Sequence, residues 1–479
     1  MALEDQLHGL LGRYIAAPQW LRSPLGLGYR LLPRSLRQGT GYAAFAAQAA
    51  CKDRDAIEQL ASAKLAATLR TALLHVPAFA AYRDLISEIG SPYQCLGHFP
   101  ITAKENIKRE PEAYLSGASG PARRMRMFTG GSTAQPMAFF LERHVTRCRE
   151  TAYVETFSRD LLDWREEDRT LSLHGRTVSG AGRDGGRLWM YEPIRRQLIL
   201  SSDHLERRYM PEYVSILRNR RPAQIHAYPS ALQPLALWLV EHPCPEYTDA
   251  VRGILLTSEN VNPGQIELFR KAFPAARIVK HYGHSERVLM ALSFGDAPEY
   301  HFSPLYGYLE LVDRAGQPIT KPGETGEIVG TGFDNSVMPF IRYRTGDLGV
   351  WESPSILRSI EGRVQEFIVC LDHRLVSITT LGAAHFPELA AADCIQYEQS
   401  EPGRVTLRVV TPHALDKPSI GRIERAVRDK TQGGCEVRVC RVPRIERTVR
   451  GKHQMLIQHL DLGSFFGAGG SNTPPAPQD

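Results

Sequence analysis

Long apolar runs are absent. The 479-residue chain has no stretch of about eighteen apolar residues, which excludes a helix able to span a bilayer. Its start, MALEDQLHGLLGRYI, mixes acids with apolar residues and has no basic stretch leading into an apolar one. No secretory leader is expected, and a cytoplasmic protein follows. Cysteine is scarce and scattered, with eight residues at 51, 95, 148, 244, 370, 394, 435 and 440. In a reducing compartment these stay free thiols. Cys435 and Cys440 have no second pair nearby, so structural zinc is not expected. Charge of one sign is scarce too. The net charge is +6 with a pI near 8.8, which suits anionic small molecules and is too mild to indicate nucleic acid. The arginine-rich pieces RNRRP (218–222) and PARRMR (121–126) are short and read as solvated faces. No internal repeat is present.

What is present suits a globular protein. Apolar residues make up 43% and charged residues 23%, and the length predicts two or three domains. Residues 1–115 read as a helical N-terminal region packed on a larger domain. There KLAATLRTALLHVPAFAAYRDLI, from Lys64, repeats leucine and alanine at helical spacing, with Pro77 dividing or kinking it. Residues 116–362 alternate short apolar runs with helical stretches. LSLHG, RLWMYEP, AQIHAYP, RGILLTSE, ARIVKHYG and YGYLELVD read as strands, several ending in Gly, Ser or Pro. This is the pattern of an α/β domain with ligand loops at its strand ends. TKPGETGEIVGTGF (320–333) and MPFIRYRTGDLG (338–349) read as further strands and turns. A boundary is expected near Gly362 and Arg363. Residues 363–460 then form a small α+β domain, with TLRVV and EVRVCRV as strands around the helix IGRIERAVRDK. The tail 461–479, ending in SNTPPAPQD, has little apolar surface and reads as disordered.

The loop FTGGSTAQP, from Phe128 to Pro136, poses the functional question. It lacks the Gly-Lys pair of a Walker A loop. Gly130 and Gly131 would let the backbone approach a ligand closely. Thr129, Ser132 and Thr133 offer hydroxyls, and successive N–H groups can form an anion nest. A plain turn has the same composition, so the loop alone does not decide.

Four more segments follow in order: HYGHSE (281–286), YRTGDLG (343–349), EGRVQEFI (361–368) and VRGKHQ (449–454). Together with the loop they resemble the adenylate-forming enzymes, the acyl-CoA synthetase and luciferase superfamily. The chain looks most like the phenylacetate–CoA ligase branch and its capsule-biosynthesis relatives. FPITAKENI (99–107) and LTSENV (256–261) add to that likeness, which spans roughly residues 60–459. The resemblance implies an α/β fold in which a large multi-layered N-terminal domain carries a small mobile α+β C-terminal domain.

It also implies roles. Thr129, Gly130, Gly131, Ser132 and Thr133 would close over the β- and γ-phosphates of ATP. Tyr282 would stack on adenine, Ser285 would face the α-phosphate and Glu286 would hold Mg²⁺, a cation that prefers hard oxygen ligands. Glu259 matches a position near the adenine. Asp347 matches the carboxylate that accepts both ribose hydroxyls. Arg363 matches a contact to ribose or phosphate, while Arg344 reads as packing or a salt bridge. Lys452 matches the mobile catalytic lysine, which bridges the carboxylate and the α-phosphate. His174, His226 and Tyr228 stand at predicted strand ends and are the expected acyl-site residues. His281 joins them, with Tyr153 and Trp189 as possible lining.

The expected reaction is ATP-dependent formation of an acyl-AMP with release of pyrophosphate, then transfer to coenzyme A. Two alternatives stand beside it. One is an amide or ester ligase that passes the acyl group to an amine, hydroxyl or sugar, or to a carrier-protein thiol. The other is a non-catalytic nucleotide-binding form of the same fold. The expected partners are a small carboxylic acid and an acceptor, with no nucleic acid, no membrane span and a monomer or homodimer. Two departures from the family pattern bear on these choices. Gln135 stands where many members carry lysine, so phosphate binding must rely on N–H groups, hydroxyls or nearby arginines. Gln365 stands where a hinge aspartate is usual, and the lysine and glycine that follow it in acyl-CoA synthetases are absent.

Overall fold

The computed structural model describes residues 3–6, 13–14, 17–129, 137–174, 178, 188–201, 205, 207–261, 263–363, 367–381, 386–389, 392–446 and 453–460. Gly130, Gly131, Ser132, Thr133, Gln135, Gln365, Lys452 and the tail 461–479 lie outside the described residues, and Arg363 enters only through its backbone.

Before residue 124 every described element is helical. The longest helix, Arg54–His75, begins where the Asp53 carboxylate accepts the N–H groups of Asp55 and Ala56. Leu65, Leu69, Ala72 and Leu73 recur at helical spacing and are fully buried. Removing one of the leucine side chains to the β-carbon should cost about 2–5 kcal/mol. Val76 is extended, as the residue before a proline must be, and Pro77 opens the 3₁₀ segment Pro77–Glu88. The expected division at Pro77 is a complete break.

A short hairpin pairs β1 (Arg124–Phe128) with β2 (Ala138–Glu142). The main sheet has twelve strands. Its first half holds β3 (Thr170–Leu173), β4 (Trp189–Glu192), β5 (Gln197–Leu200), β6 (Gln224–Ala227), β7 (Gly253–Thr257) and β8 (Arg277–Gly283). Its second half holds β9 (Met290–Phe294), β10 (Tyr300–Phe302), β11 (Gly307–Val312), β12 (Thr325–Gly332), β13 (Tyr343–Ser353) and β14 (Ile356–Arg363). The spatial order is β11-β12-β13-β14-β10-β9-β8-β7-β6-β3-β5-β4. Strands β5, β3, β6, β7 and β8 run parallel. From β8 to β11 all neighbours are antiparallel. Strand β8 is therefore the junction between the two halves. The parallel strands are short and apolar because both of their faces are covered. GILLT in β7 is buried along almost its whole length.

The C-terminal region is α+β. β15 (Phe367–Val369) pairs with β16 (Leu375–Ser377), and a four-stranded sheet follows. It contains β17 (Cys394–Glu401), β18 (Arg404–Val410), β19 (Glu436–Arg441) and β20 (Leu456–Gln458), in the order β19-β18-β17-β20. Helix Lys417–Lys430 is capped by Asp416, which accepts the Ser419 N–H, and it buries Ile423 and Val427 against the sheet. Among the described residues, these contacts tie the region to the large one. The Arg207 guanidinium lies 3.4 Å from the Asp393 carboxylate. The Gln233 amide donates to the Ala392 carbonyl at 3.4 Å. The His453 N–H donates to Glu259 at 3.0 Å. All eight cysteines are free thiols. Among the described residues no helix is long and apolar enough to cross a membrane.

Candidate active site

The chain builds the parallel half outward in both directions from β3. β5 is added on one side, and β6, β7 and β8 on the other. The switch point of this doubly wound order lies between β3 and β6, and ligands of such sheets bind outside the carboxyl ends at that place. His174 follows β3, and Tyr228 follows β6. His226 lies opposite Ser172 in the parallel register. The His174 and His226 rings meet edge to face with centroids 4.0 Å apart, and the Tyr228 ring lies 6.0 Å from His174. His174 Nδ1 is 2.9 Å from the Ser172 hydroxyl. The three residues expected from sequence to flank the acyl site thus form one cluster at the switch point.

His281 lies two strands away, stacked on Phe157 of helix Thr146–Leu162 with centroids 5.9 Å apart. Burial holds its imidazole below the usual histidine range, with the Glu150 carboxylate pulling the other way. A β-carbon on Gly283 would stand 3.0 Å from the His281 ring, so a side chain there would push on the ring. Tyr153 is buried edge-on against Tyr306. Trp189 lies on the edge strand β4, where Arg220 covers its ring. Among the described residues neither ring stacks on His174 or His226.

At the end of β8 the chain places Tyr282, His284, Ser285 and Glu286 within one turn. The Tyr282 hydroxyl donates to Asp347 Oδ2 at 2.8 Å. His284 Nε2 lies 2.8 Å from that hydroxyl and 3.6 Å from the same carboxylate oxygen. Because the phenol proton points to Asp347, the network assigns the imidazole proton to Nε2. His284 Nδ1 is then a buried acceptor with no partner among the described residues. Asp347 is positioned by its own turn. Its N–H donates to the Thr345 hydroxyl, which donates to the Ile328 carbonyl at 2.8 Å. Across the β13–β14 ladder Asp347 faces Arg363. Arg344 pairs with Glu327 at 2.9 Å, as a structural ion pair would.

Glu286 is buried and accepts the Tyr343 hydroxyl at 2.8 Å. Burial first, and the Glu286 charge second, push the Tyr343 phenol up, so it stays a neutral donor. Tyr343 is in turn bridged to Thr102 of FPITAKENI. Arg149 holds the following residue. It is fully buried over the Tyr306 ring and donates to the Arg287 carbonyl at 2.8 Å. Among the described residues no group of three ligating side chains could hold a metal. A single carboxylate fits Mg²⁺, which takes most of its ligands from phosphate and water.

Glu259 joins three segments. Ser230, at the start of helix Pro229–Glu241, donates its N–H and its hydroxyl to the carboxylate, both at 3.0 Å. The His453 N–H is the third donor. Thr129 closes the base of the glycine loop. Its N–H donates to the Met137 carbonyl and its hydroxyl accepts the Met137 N–H, both at 2.9 Å. The loop residues beyond it are outside the described set.

Sequence reasoning passed over His284, Tyr343, Ser230, His453 and Arg149. His284 and Tyr343 lie inside the quoted segments HYGHSE and YRTGDLG, but their partners are distant in sequence. Arg149 carries no local signal, since its partners, backbone carbonyls, the Asp334 carboxylate and the Tyr306 ring, lie far along the chain.

No protein-family model matches the chain. Among curated proteins it is similar to Protein CapK of Staphylococcus aureus, 21% identical over 337 residues, covering 68% of this chain and 71% of that protein. Among solved structures it superposes on 2-hydroxyisobutyryl-CoA ligase in the postadenylation state with R3-HIB-AMP. There the TM-score is 0.62 and the identity 16%, over 85% of this chain and 90% of that one. The same ligase with 2-HIB-AMP gives a TM-score of 0.59 at 14% identity, with the same coverage of 85% and 90%. With a large mixed α/β part and a smaller C-terminal α+β region, the chain shares the fold of that ligase.

Proposed function

We propose that the protein activates a carboxylic acid with ATP and Mg²⁺ and passes the acyl group to coenzyme A. The observation that carries this reading is the pair of buried carboxylates around the end of β8. Asp347 is held by Tyr282, and Glu286 by Tyr343. In the first step a carboxylate oxygen attacks the α-phosphorus, the bond to the β-phosphate breaks, and pyrophosphate leaves. In the second, the acceptor attacks the acyl carbon and AMP leaves. AMP makes a good leaving group from what was a poor electrophile.

Asp347 accepts the ribose hydroxyls, and Tyr282 lies against the adenine. Glu286 is the residue that would hold Mg²⁺, which neutralises phosphate charge when bound. Ser285 faces the α-phosphate, and Arg363 reaches ribose or phosphate. Thr129 clasps the loop whose Gly130, Gly131, Ser132 and Thr133 close over the outer phosphates. His174, His226 and Tyr228 bound the acyl group, with His281 two strands away. Adjacent strands lie about 4.8 Å apart, so β3 to β8 spans about 15 Å, room for an acyl group beside an adenylate. Lys452 is the catalytic lysine of this reading, and Glu259, which accepts from Ser230 and His453, ties the C-terminal region to the large one. Residues 363–460 move as a unit between the two steps.

Coenzyme A is the first acceptor because the ligase of similar fold is named for a CoA product. The test is a panel of carboxylic acids with ATP and Mg²⁺, read by pyrophosphate release, then repeated with CoA, amines and sugar acceptors. Release that depends on one acid, with thioester formed on adding CoA, is expected. Product only with an amine or sugar would reassign the acceptor. No acid-dependent release across the panel would overturn the reading.

A further inference from the structure

Helix Gln19–Leu31 faces the wrong way for a helix resting in water. It buries Arg22 and Gly26 and exposes its apolar residues. Trp20 is 76% exposed, Leu27 59% and Leu31 78%. At about 100° per residue these three fall in one narrow sector, and Leu21 and Leu25 widen it on one side. All five count among the exposed large hydrophobics. The orientation is set by packing. A β-carbon on Gly26 would stand 2.5 Å from the Pro193 ring, so this face can approach the body of the protein only as glycine. Arg22, turned inward beside it, donates to Gln19 at 2.9 Å.

The charge of the segment that carries this helix is one-sided in sequence, with Glu166 and Glu155 reaching its arginines from elsewhere in the chain. Residues 6–52 contain no Asp or Glu, and they hold Arg13, Arg22, Arg30, Arg34, Arg37 and Lys52. These six cations equal the net charge of the whole chain, +6, so the remainder is neutral. Arg34 and Arg37 are paired with Glu166 at 2.6 and 3.1 Å. Arg13 and Lys52 are exposed, and Arg30 is half-buried next to Leu31. Tryptophan and leucine on one face, in a segment whose own charged residues are all cations, are the features of a helix that lies in a membrane interface. Leu36, in the next short helix Arg34–Gln38, is exposed as well.

We propose that the Trp20–Leu31 face docks on the surface of an anionic phospholipid bilayer, lying along it rather than crossing it. Thirteen helical residues span about 20 Å, enough to lie in the headgroup layer and too short to traverse the hydrocarbon. The proposal is independent of the reaction and would set carboxylate activation at a membrane surface.

The test uses the full chain and co-sedimentation with phosphatidylcholine vesicles, with and without phosphatidylglycerol. Wild type should bind the anionic vesicles about tenfold more tightly and lose the preference in high salt. The variant Leu27→Glu with Leu31→Glu places two charges on the exposed face. It should lose vesicle binding about tenfold or more while keeping the wild-type melting temperature. Vesicle binding unchanged in this variant, or absent in wild type, would overturn the proposal. Sedimentation equilibrium is the second readout. A wild-type dimer that the variant dissolves, with no binding to vesicles, would assign the face to a second copy of the chain instead.

Discussion

The end of β8 and the ends of β3 and β6 make unlike surfaces. At β8 two carboxylates are each gripped by a tyrosine hydroxyl, and both tyrosines are fixed by further contacts. At β3 and β6 three rings meet edge-on beside a serine hydroxyl. A nucleotide presents the same hydroxyls and phosphates to every enzyme that uses it, and an interlocked set of acceptors suits that constancy. A carboxylic acid differs from enzyme to enzyme, and a cluster of rings can be reshaped one side chain at a time. Substitutions on the two surfaces should therefore affect different kinetic constants.

The largest effect should come from Lys452→Ala. Losing one electrostatic donor to the transition state costs roughly 10²–10³ in rate. Rapid-quench measurement should show acyl-AMP formation falling by that factor, with transfer from synthetic acyl-AMP largely kept. Normal pyrophosphate release would remove the lysine from the chemistry. Asp347→Ala should come next. A hydrogen bond to a charged group is worth about 1.5–3 kcal/mol, so calorimetry should show ATP binding about 10- to 100-fold weaker. His226→Ala should leave ATP affinity unchanged and raise KM for the acid. If His226→Ala weakens ATP and Asp347→Ala does not, the assignment of the two surfaces is reversed.

Glu259→Ala should have a smaller effect, slowing adenylation about tenfold while ATP affinity holds, because a charged acceptor shared by Ser230 and His453 is gone. Glu259→Gln keeps one acceptor oxygen and should recover part of the rate. A matching loss of ATP affinity would return Glu259 to a direct nucleotide contact. The smallest effect concerns pH. Folding depresses the His281 pKa from about 6.5, so the unfolded chain binds the proton first on acidification. The stability contributed by neutral His281 is complete above about pH 6.5 and is lost as pH falls through the folded pKa. Melting curves of His281→Phe should show a flatter acid limb than wild type.

Six strands were legible from short apolar runs: β3, β6, β7 and β8 are parallel and covered on both faces, whereas β4 and β11 are antiparallel edge strands whose burial alternates. MPFIRYRTGDLG was legible only in part. Its strand starts at Tyr343, and before it Met338, Phe340 and Ile341 are buried as irregular chain. Apolar content alone cannot separate a strand from a buried loop. The partition at Pro77 followed from one residue's missing N–H. The pairing of Tyr282 with Asp347 was not legible, since the two are 65 residues apart and meet only because β8 and β13 belong to one sheet. Glu259 was placed near the adenine by likeness, whereas its contacts to Ser230 and His453 come from tertiary structure. The inverted helix Gln19–Leu31 was hidden because a sequence pattern gives an apolar face but not the direction in which it points.

The central claim is that the carboxylate attacks the α-phosphorus of ATP. An acid labelled with oxygen-18 in its carboxylate, turned over with ATP, Mg²⁺ and the acceptor, tests it directly by mass spectrometry of the nucleotide. Attack at the α-phosphorus leaves one labelled oxygen in AMP when the acyl group departs, and none in pyrophosphate. That is the predicted result. ADP as product, with the label in inorganic phosphate, would mean attack at the γ-phosphorus and would contradict the account.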